Sequence, residues 1–165
     1  MISQEELKRR LNYDAETGVF TWLNHNGGRI KSGDIAGGID GKGYAHIRIN
    51  NKRPKAHRLA WLYMTGSFPY KQIDHINGIK TDNRFCNLRL ATQSENKINT
   101  PLYKNNSSGF KGVYFHKASG KWNVQIRLNG KNKNLGYFDS PEVASNIYIS
   151  CAKLHHGEFY NGKTT

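Results

Sequence analysis

The chain has 165 residues, of which only 36% are hydrophobic and 17 are glycine. That length allows one medium domain or two small ones, and the low apolar share favours two small cores over one large one. Lys and Arg number 25 against 12 acidic residues, a formal charge of +13, and the excess is spread along the chain with no basic tail. A spread excess points to two surfaces facing a polyanion. An anionic membrane surface would call for a basic amphipathic helix, which is not found, and no apolar run approaches the roughly 18 residues of a membrane span. The start, Met1-Ile2-Ser3-Gln4-Glu5, lacks the regions of a signal peptide. Cys86 and Cys151 make neither a disulfide framework nor a four-cysteine zinc site, and read as free thiols in a reducing compartment.

In chain order, Ser3 followed by Glu6 is a capping box that opens a helix through about Leu11. Asp14 to Gly18 is turn chemistry, and residues 19–23 are a strand by their β-branched and aromatic content. Gly27-Gly28 marks a loop. Five glycines from Gly33 to Gly43 predict tight turns around a short strand at Ile35-Ala36. Residues 44–49 are a strand, Asn50-Asn51 a two-residue hairpin turn, and 52–56 the return strand with Pro54 on its edge. Leu59, Ala60, Leu62 and Tyr63 at helical spacing predict a helix from His57 to Met64, ended by Gly66.

Residues 71–76 are a short strand and Asn77-Gly78 a turn. A polar loop runs through Lys80 to Arg84, residues 88–91 form a second strand, and Thr92 caps a helix through about Asn99. This strand–loop–strand–helix unit is too small to close a core, so it must lean on the elements before it. Residues 100–108, TPLYKNNSS, read as a linker. Beyond them, residues 110–116, 121–128 and 132–138 are three strands joined by Ala118-Ser119-Gly120 and Asn129-Gly130. Ser140-Pro141 opens a helix to about His155, with Val143, Ala144, Ile147, Tyr148, Cys151 and Leu154 predicted on its packed face.

The candidate chemistry sits in residues 72–99. Hydrolysing a phosphodiester needs a base for water near neutral pH, an offset for the phosphate charge, and a stabilised leaving oxygen. Histidine suits the first task, and a hard divalent cation on oxygen ligands suits the other two. Adjacent strand residues point to opposite sides, so Asp74 and His75 can serve two sides of one phosphate. Asn96, in the first turns of the following helix, is placed to reach a metal opposite Asp74. Asn87 is placed to pin the loop backbone and orient His75.

This Asp-His … Asn … Asn pattern, within DHINGIKTDNRFCNLRLAT, resembles the HNH (ββα-metal) endonuclease family, closest to phage and homing members. Ala56-His57-Arg58-Leu59-Ala60 resembles a helix that commonly precedes the motif there, so the likeness spans about 56–99. It implies His75 as general base, Asp74 and Asn96 as ligands of one Mg²⁺ or Mn²⁺, and Asn87 as the structural middle residue. Asn96 stands where the family name has a final His, a familiar variant of this subgroup. No structural zinc is expected. Arg84 and Arg89 flank the site and read as phosphate contacts or as a solvated face, His57 and Arg58 precede it, and the Lys/Arg-rich hairpin with Lys52 and Arg53 holds the strand. His57 is read equally as a core or capping residue, while His25, His46, His155 and His156 read as ordinary surface residues.

Gly112-Val113-Tyr114, Gly120-Lys121-Trp122, Ile126-Arg127, Leu135 to Phe138 and Ala144 to Tyr148 resemble an Apetala2-type DNA-binding domain over about 109–161. Such domains lay a three-stranded sheet into the major groove. Alternation independently turns Val124, Ile126 and Leu128 to the helix and Gln125 and Arg127 outward. Lys111, Tyr114 and His116 match positions often arginine in that family, and Asn132 and Asn134 fall on the exposed face. Arg can read guanine, and Gln or Asn adenine, through paired hydrogen bonds. Tyr and His in place of arginines, and Asn134 in place of the usual Trp, put that family's sequence preference in doubt. Trp122 reads as core.

The expected fold is α+β: a nuclease domain over 1–99, a β-rich scaffold with its ββα-metal motif near 71–99; a linker over 100–108; and a three-stranded antiparallel sheet on one helix over 109–165. The expected function is a metal-dependent DNA endonuclease of homing type in the cytoplasm of a bacterial or phage-infected cell. It acts on double-stranded DNA as a monomer, which nicks, with a dimer also possible; a double-strand break needs a dimer or successive nicks. The alternative is a non-catalytic DNA-binding regulator that keeps the fold, and a further rival is a nuclease directed at RNA.

Overall fold

A computed structural model describes residues 1–24, 29–102, 105–160 and 162, so His25 and the Gly27-Gly28 loop lie outside the described residues. The chain divides into two compact units, Met1–Thr92 and Gln93–Thr165. Among the described residues no helix is long and apolar enough to cross a membrane.

The first unit opens with α1 (Gln4–Arg10), capped as expected by Ser3, whose Oγ accepts from the Glu6 amide at 3.1 Å. α1 stops at Arg10 because Leu11 turns extended and starts β1 (Leu11–Tyr13), which pairs antiparallel with β2 (Phe20–Trp22). The sequence reading missed β1: three residues carry too short a pattern to compete with the helix before them. Asp14 makes the hairpin turn, its carboxylate accepting from the Glu16 and Thr17 amides. Ile35 bridges to Thr21 as an isolated pair, and β3 (Gly38–Ile39) pairs with β4 (Ala45–His46). The strand predicted over 44–49 is therefore regular only at its start. Beyond it, Ile49 and Lys52 exchange backbone bonds across Asn50 and Asn51, both with positive φ as a type I′ turn requires. Pro54 has no N–H to donate, which limits this hairpin to scattered bridges. α2 (Ala56–Thr65) ends at Gly66 in the left-handed conformation, φ 82°.

β5 (Gln72–His75) and β6 (Leu88–Ala91) form an antiparallel pair, entered through a single 3₁₀ turn at Phe85–Asn87 that the sequence did not reveal. The pair leans on the scaffold as its size demanded. Ile73 and Leu88 join the core built around Leu7, Leu11, Phe20, Ile47 and Leu59, and Phe85 stacks at 5.5 Å on Trp61 of α2.

The second unit begins with α3 (Gln93–Ile98). This short helix buries none of its own residues; Lys111 ties its end down by donating to the carbonyls of Ile98 and Thr100 at 2.5 and 2.7 Å. α3 groups with the C-terminal residues, whereas the sequence reading placed it in the 1–99 block. A sheet follows in the order β7 (Val113–His116), β8 (Lys121–Leu128), β9 (Lys131–Phe138), wholly antiparallel, with α4 (Pro141–His156) packed on one face. β7 starts three residues later than predicted because Gly112 holds φ 72° against α4: an added Cβ would sit 2.3 Å from the Tyr148 ring.

The packed face of α4 also differs. Ala144, Ser145, Tyr148 and Ala152 are buried, whereas Val143 and Ile147 are exposed and Leu154 is 79% exposed. Small side chains let the helix sit close on the sheet, so fit selects the buried stripe over hydrophobicity alone.

Candidate nuclease site and nucleic-acid interface

Strand alternation turns Asp74 and His75 to opposite sides of β5, and both are buried because each side is covered. Asp74 faces Arg89 directly across the β5–β6 ladder. Arg89 Nε donates to Asp74 Oδ2 at 2.8 Å and a terminal nitrogen lies 2.7 Å from the same oxygen, with the side chains 11% and 8% exposed. Arg89, predicted as a phosphate contact, is thus engaged with the predicted metal ligand. Arg84 is similarly drawn onto Asp82, its Nε and a terminal nitrogen reaching the two carboxylate oxygens at 2.8 and 2.6 Å. That fork holds the Asp82 carboxyl down at about 2.

Asn87 pins the loop as predicted. Its Oδ1 accepts from the Asn77 amide at 2.9 Å, and its Nδ2 donates to Asn77 Oδ1 at 3.0 Å and the Asp82 carbonyl at 2.8 Å. Asn83 also meets the histidine: its Oδ1 lies 3.2 Å from His75 Nε2. The sequence reading missed Asn83, treating it as loop filler; a buried polar residue needs a partner, but only the fold shows that it is buried. Burial pushes the His75 pKa below its ordinary value, opposed by the Asn83 bond and the nearby Asp74 and Asp82. That direction favours the neutral imidazole, the form a base must take.

His57, from the first turn of α2, packs edge-on against His75 with ring centroids 5.0 Å apart, and Tyr44 lies 5.6 Å from His57 and 6.2 Å from His75. His57 is buried, which corrects the phosphate-contact reading in favour of a core histidine; burial and its cationic neighbours push its pKa down to about 3. Lys55 Nζ sits 3.6 Å over the Tyr44 ring and Lys80 Nζ 5.0 Å away, two cations beside the site that the sequence reading did not single out. Arg58 donates to the Pro69 carbonyl at 3.3 Å, while Lys52 and Arg53 are exposed on their hairpin. His46 is half-buried, His155 exposed and His156 half-buried.

Asn96 lies on α3 in the second unit and is half-buried. The donors fit a hard divalent cation in kind: Asp74 offers carboxylate oxygen and Asn96 amide oxygen.

On the second unit, Val124 and Ile126 are buried toward α4, while Gln125 is half-buried and Arg127 exposed on the outer face. Tyr114 and Asn132 are exposed, and half-buried His116 bonds Ser119 Oγ at 2.8 Å. Lys111 is corrected: it precedes β7, and its half-buried ammonium serves the two carbonyls at the end of α3. Asn134 holds the irregularity between Val124 and Gln125, its Oδ1 accepting from Gly136 N at 2.9 Å and Asn123 Nδ2 at 2.8 Å. That shift turns Tyr137 outward beside His116, ring centroids 5.1 Å apart, where strict alternation from Asn132 and Asn134 gives the place to Gly136. Trp122 is half-buried against Phe115, as a core residue.

Residues 54–98 match the HNH endonuclease family. Protein 3.8 of Escherichia phage T7 is 36% identical over 109 residues, covering 66% of this chain and 89% of that protein. An uncharacterized HNH endonuclease of Acanthamoeba polyphaga mimivirus is 31% identical over 122 residues, covering 72% of this chain and 62% of that protein. Among solved structures, one described as DNA binding and cleavage by the HNH homing endonuclease I-HmuI aligns over 88% of this chain and 76% of its own, at 22% identity and a TM-score of 0.41. The chain belongs to the family of the phage Protein 3.8 and carries an HNH endonuclease domain across the pair β5–β6.

Proposed function

We propose that this chain is a metal-dependent endonuclease that hydrolyses phosphodiester bonds in double-stranded DNA. The observation that carries the reading is a buried His75 on a strand whose other side presents Asp74, next to a loop pinned by Asn87. His75 takes a proton from a water that attacks phosphorus in line. Asp74 and Asn96 would hold one Mg²⁺ or Mn²⁺, which when bound offsets phosphate charge and stabilises the leaving 3′ oxygen. The products are a 5′ phosphate and a 3′ hydroxyl. Asn87 acts by holding the loop, and Lys52 and Arg53 meet the backbone. The second unit serves as the DNA-anchoring domain of Apetala2 type, with Arg127, Gln125, Asn132, Tyr114 and His116 facing the groove. One centre per chain makes a monomer a nicking enzyme.

Plasmid relaxation with magnesium or manganese tests this. Wild type should nick supercoiled DNA, and His75→Ala or a chelator should abolish nicking; equal relaxation by both proteins refutes the assignment. The second reading, a DNA-binding regulator without catalysis, is favoured by one observation, the guanidinium of Arg89 on Asp74. It expects tight, salt-dependent binding and no metal-dependent nicking.

A further inference from the structure

The loop between the two motif strands holds a side chain with no role in the reading above. Asn83 is 3% exposed, and both ends of its amide are used. Nδ2 donates to the Thr81 carbonyl at 3.3 Å, and Oδ1 faces His75 Nε2 at 3.2 Å. Which way an amide points is ordinarily a matter of assignment, but here the Thr81 carbonyl can only accept, so the nitrogen must face it. The oxygen then faces His75, and an amide oxygen can only accept. His75 Nε2 must carry a hydrogen, and in the neutral form that a base requires Nδ1 then holds the lone pair.

The N-terminal hairpin holds Asn83 in turn. The Tyr13 hydroxyl donates to the Asn83 carbonyl at 2.6 Å, and the Phe85 amide donates to the Ala15 carbonyl at 3.2 Å. Gly18 lies so close that an added Cβ would stand 2.5 Å from the Asn83 carbonyl carbon and 2.4 Å from the Arg84 amide. A separate element thus clamps the loop from behind on either side of the hairpin turn.

We propose that Asn83 is a positioning residue that holds His75 in the tautomer with hydrogen on Nε2, making Nδ1 the nitrogen that accepts the proton of the attacking water, and that the β1–β2 hairpin holds Asn83 in place through Tyr13 and Gly18. The hydrogen on Nε2 follows from the geometry, while its catalytic consequence rests on the nuclease reading. Asn83→Asp keeps an acceptor toward His75, Asn83→Ala removes it, and Tyr13→Phe loosens the clamp without touching the imidazole.

Two measurements on the full chain test this. Nitrogen-15 NMR of His75 in metal-free protein should show hydrogen on Nε2 in wild type and Asn83→Asp, with faster exchange of that hydrogen in Asn83→Ala. Plasmid nicking should lose about 10- to 100-fold in kcat in Asn83→Ala, the scale for a partner that orients an imidazole. KM should stay unchanged, Asn83→Asp should recover most of the rate, and Tyr13→Phe should fall between. Hydrogen on Nδ1 in wild type overturns the proposal, as does an unchanged kcat in folded Asn83→Ala when His75→Ala is inactive. Full activity in His75→Ala overturns the nuclease reading instead, and the NMR result still decides the tautomer.

Discussion

Replacing His57 with phenylalanine should flatten the dependence of stability on pH. The ring is 5% exposed, packed on His75 and Tyr44, and flanked by the cations Lys55 and Arg58. Burial first, then these neighbours, lowers its pKa from 6.5 to about 3. Between those values the unfolded chain binds a proton that the folded chain does not. Stability therefore rises with pH across this window and is lost on acidification, at up to about 1.4 kcal/mol per unit. Integrated from about pH 7 down to about pH 5, His57 alone accounts for a loss of about 2 kcal/mol. Asp82, at about 2, titrates below that range. His156 is lowered too and acts with the same sign, but it is present in both proteins and cancels in the comparison, whereas His75, in contact with His57, titrates with it as a pair. Urea unfolding of wild type and His57→Phe at the two pH values measures the difference. Wild type should lose about 2 kcal/mol more on acidification than the variant, and equal losses refute a buried neutral His57.

Other substitutions separate structural from functional roles. Gly18→Ala, at φ 74° and against the Asn83–Arg84 backbone, should cost about 1–3 kcal/mol from the backbone conformation alone, seen as a lower denaturation midpoint together with slower nicking; an unchanged midpoint refutes the clamp. Asp74→Ala leaves the Arg89 guanidinium buried without its carboxylate and should cost about 3–5 kcal/mol, so its loss of activity must be read beside its stability, and a midpoint like that of wild type would show the ion pair to be idle. Arg127→Ala should weaken DNA binding by about 1–3 kcal/mol at one base pair if it reads a base, measured by competition among site variants; equal weakening on all sites would make it a backbone contact. Lys111→Met should lower stability and leave the salt slope of DNA binding unchanged, since its ammonium serves two carbonyls of its own chain.

How far the sequence reached depended on whether a signal was local. Caps and turns came out where a few neighbouring residues decide: Ser3 on α1, Asn50-Asn51 in the hairpin, Gly66 after α2 and Ser140-Pro141 before α4. The same holds for β6 and β8, found at the predicted residues because alternation or apolar runs mark them. Asp74, His75 and Asn87 were legible because the motif's spacing is short enough to survive as a pattern, and Asn87 pins the loop for the reason its side chain implied.

What the sequence could not supply were pairings made over long separations. Arg89 meets Asp74 through strand register, Asn83 meets His75 through a loop held by Tyr13 some 70 positions earlier, and His57 is buried because α2 turns it inward. Lys111 and Arg84 look in sequence like cations ready for a phosphate, yet hydrogen-bond geometry assigns them to a carbonyl pair and a carboxylate. The sequence by itself determined which side chains bring a proton acceptor, oxygen donors and cations to the chain, because chemistry belongs to the side chain. Only the tertiary structure decided which of them are engaged elsewhere and which nitrogen of His75 faces Asn83, because burial and partners are properties of the packed chain.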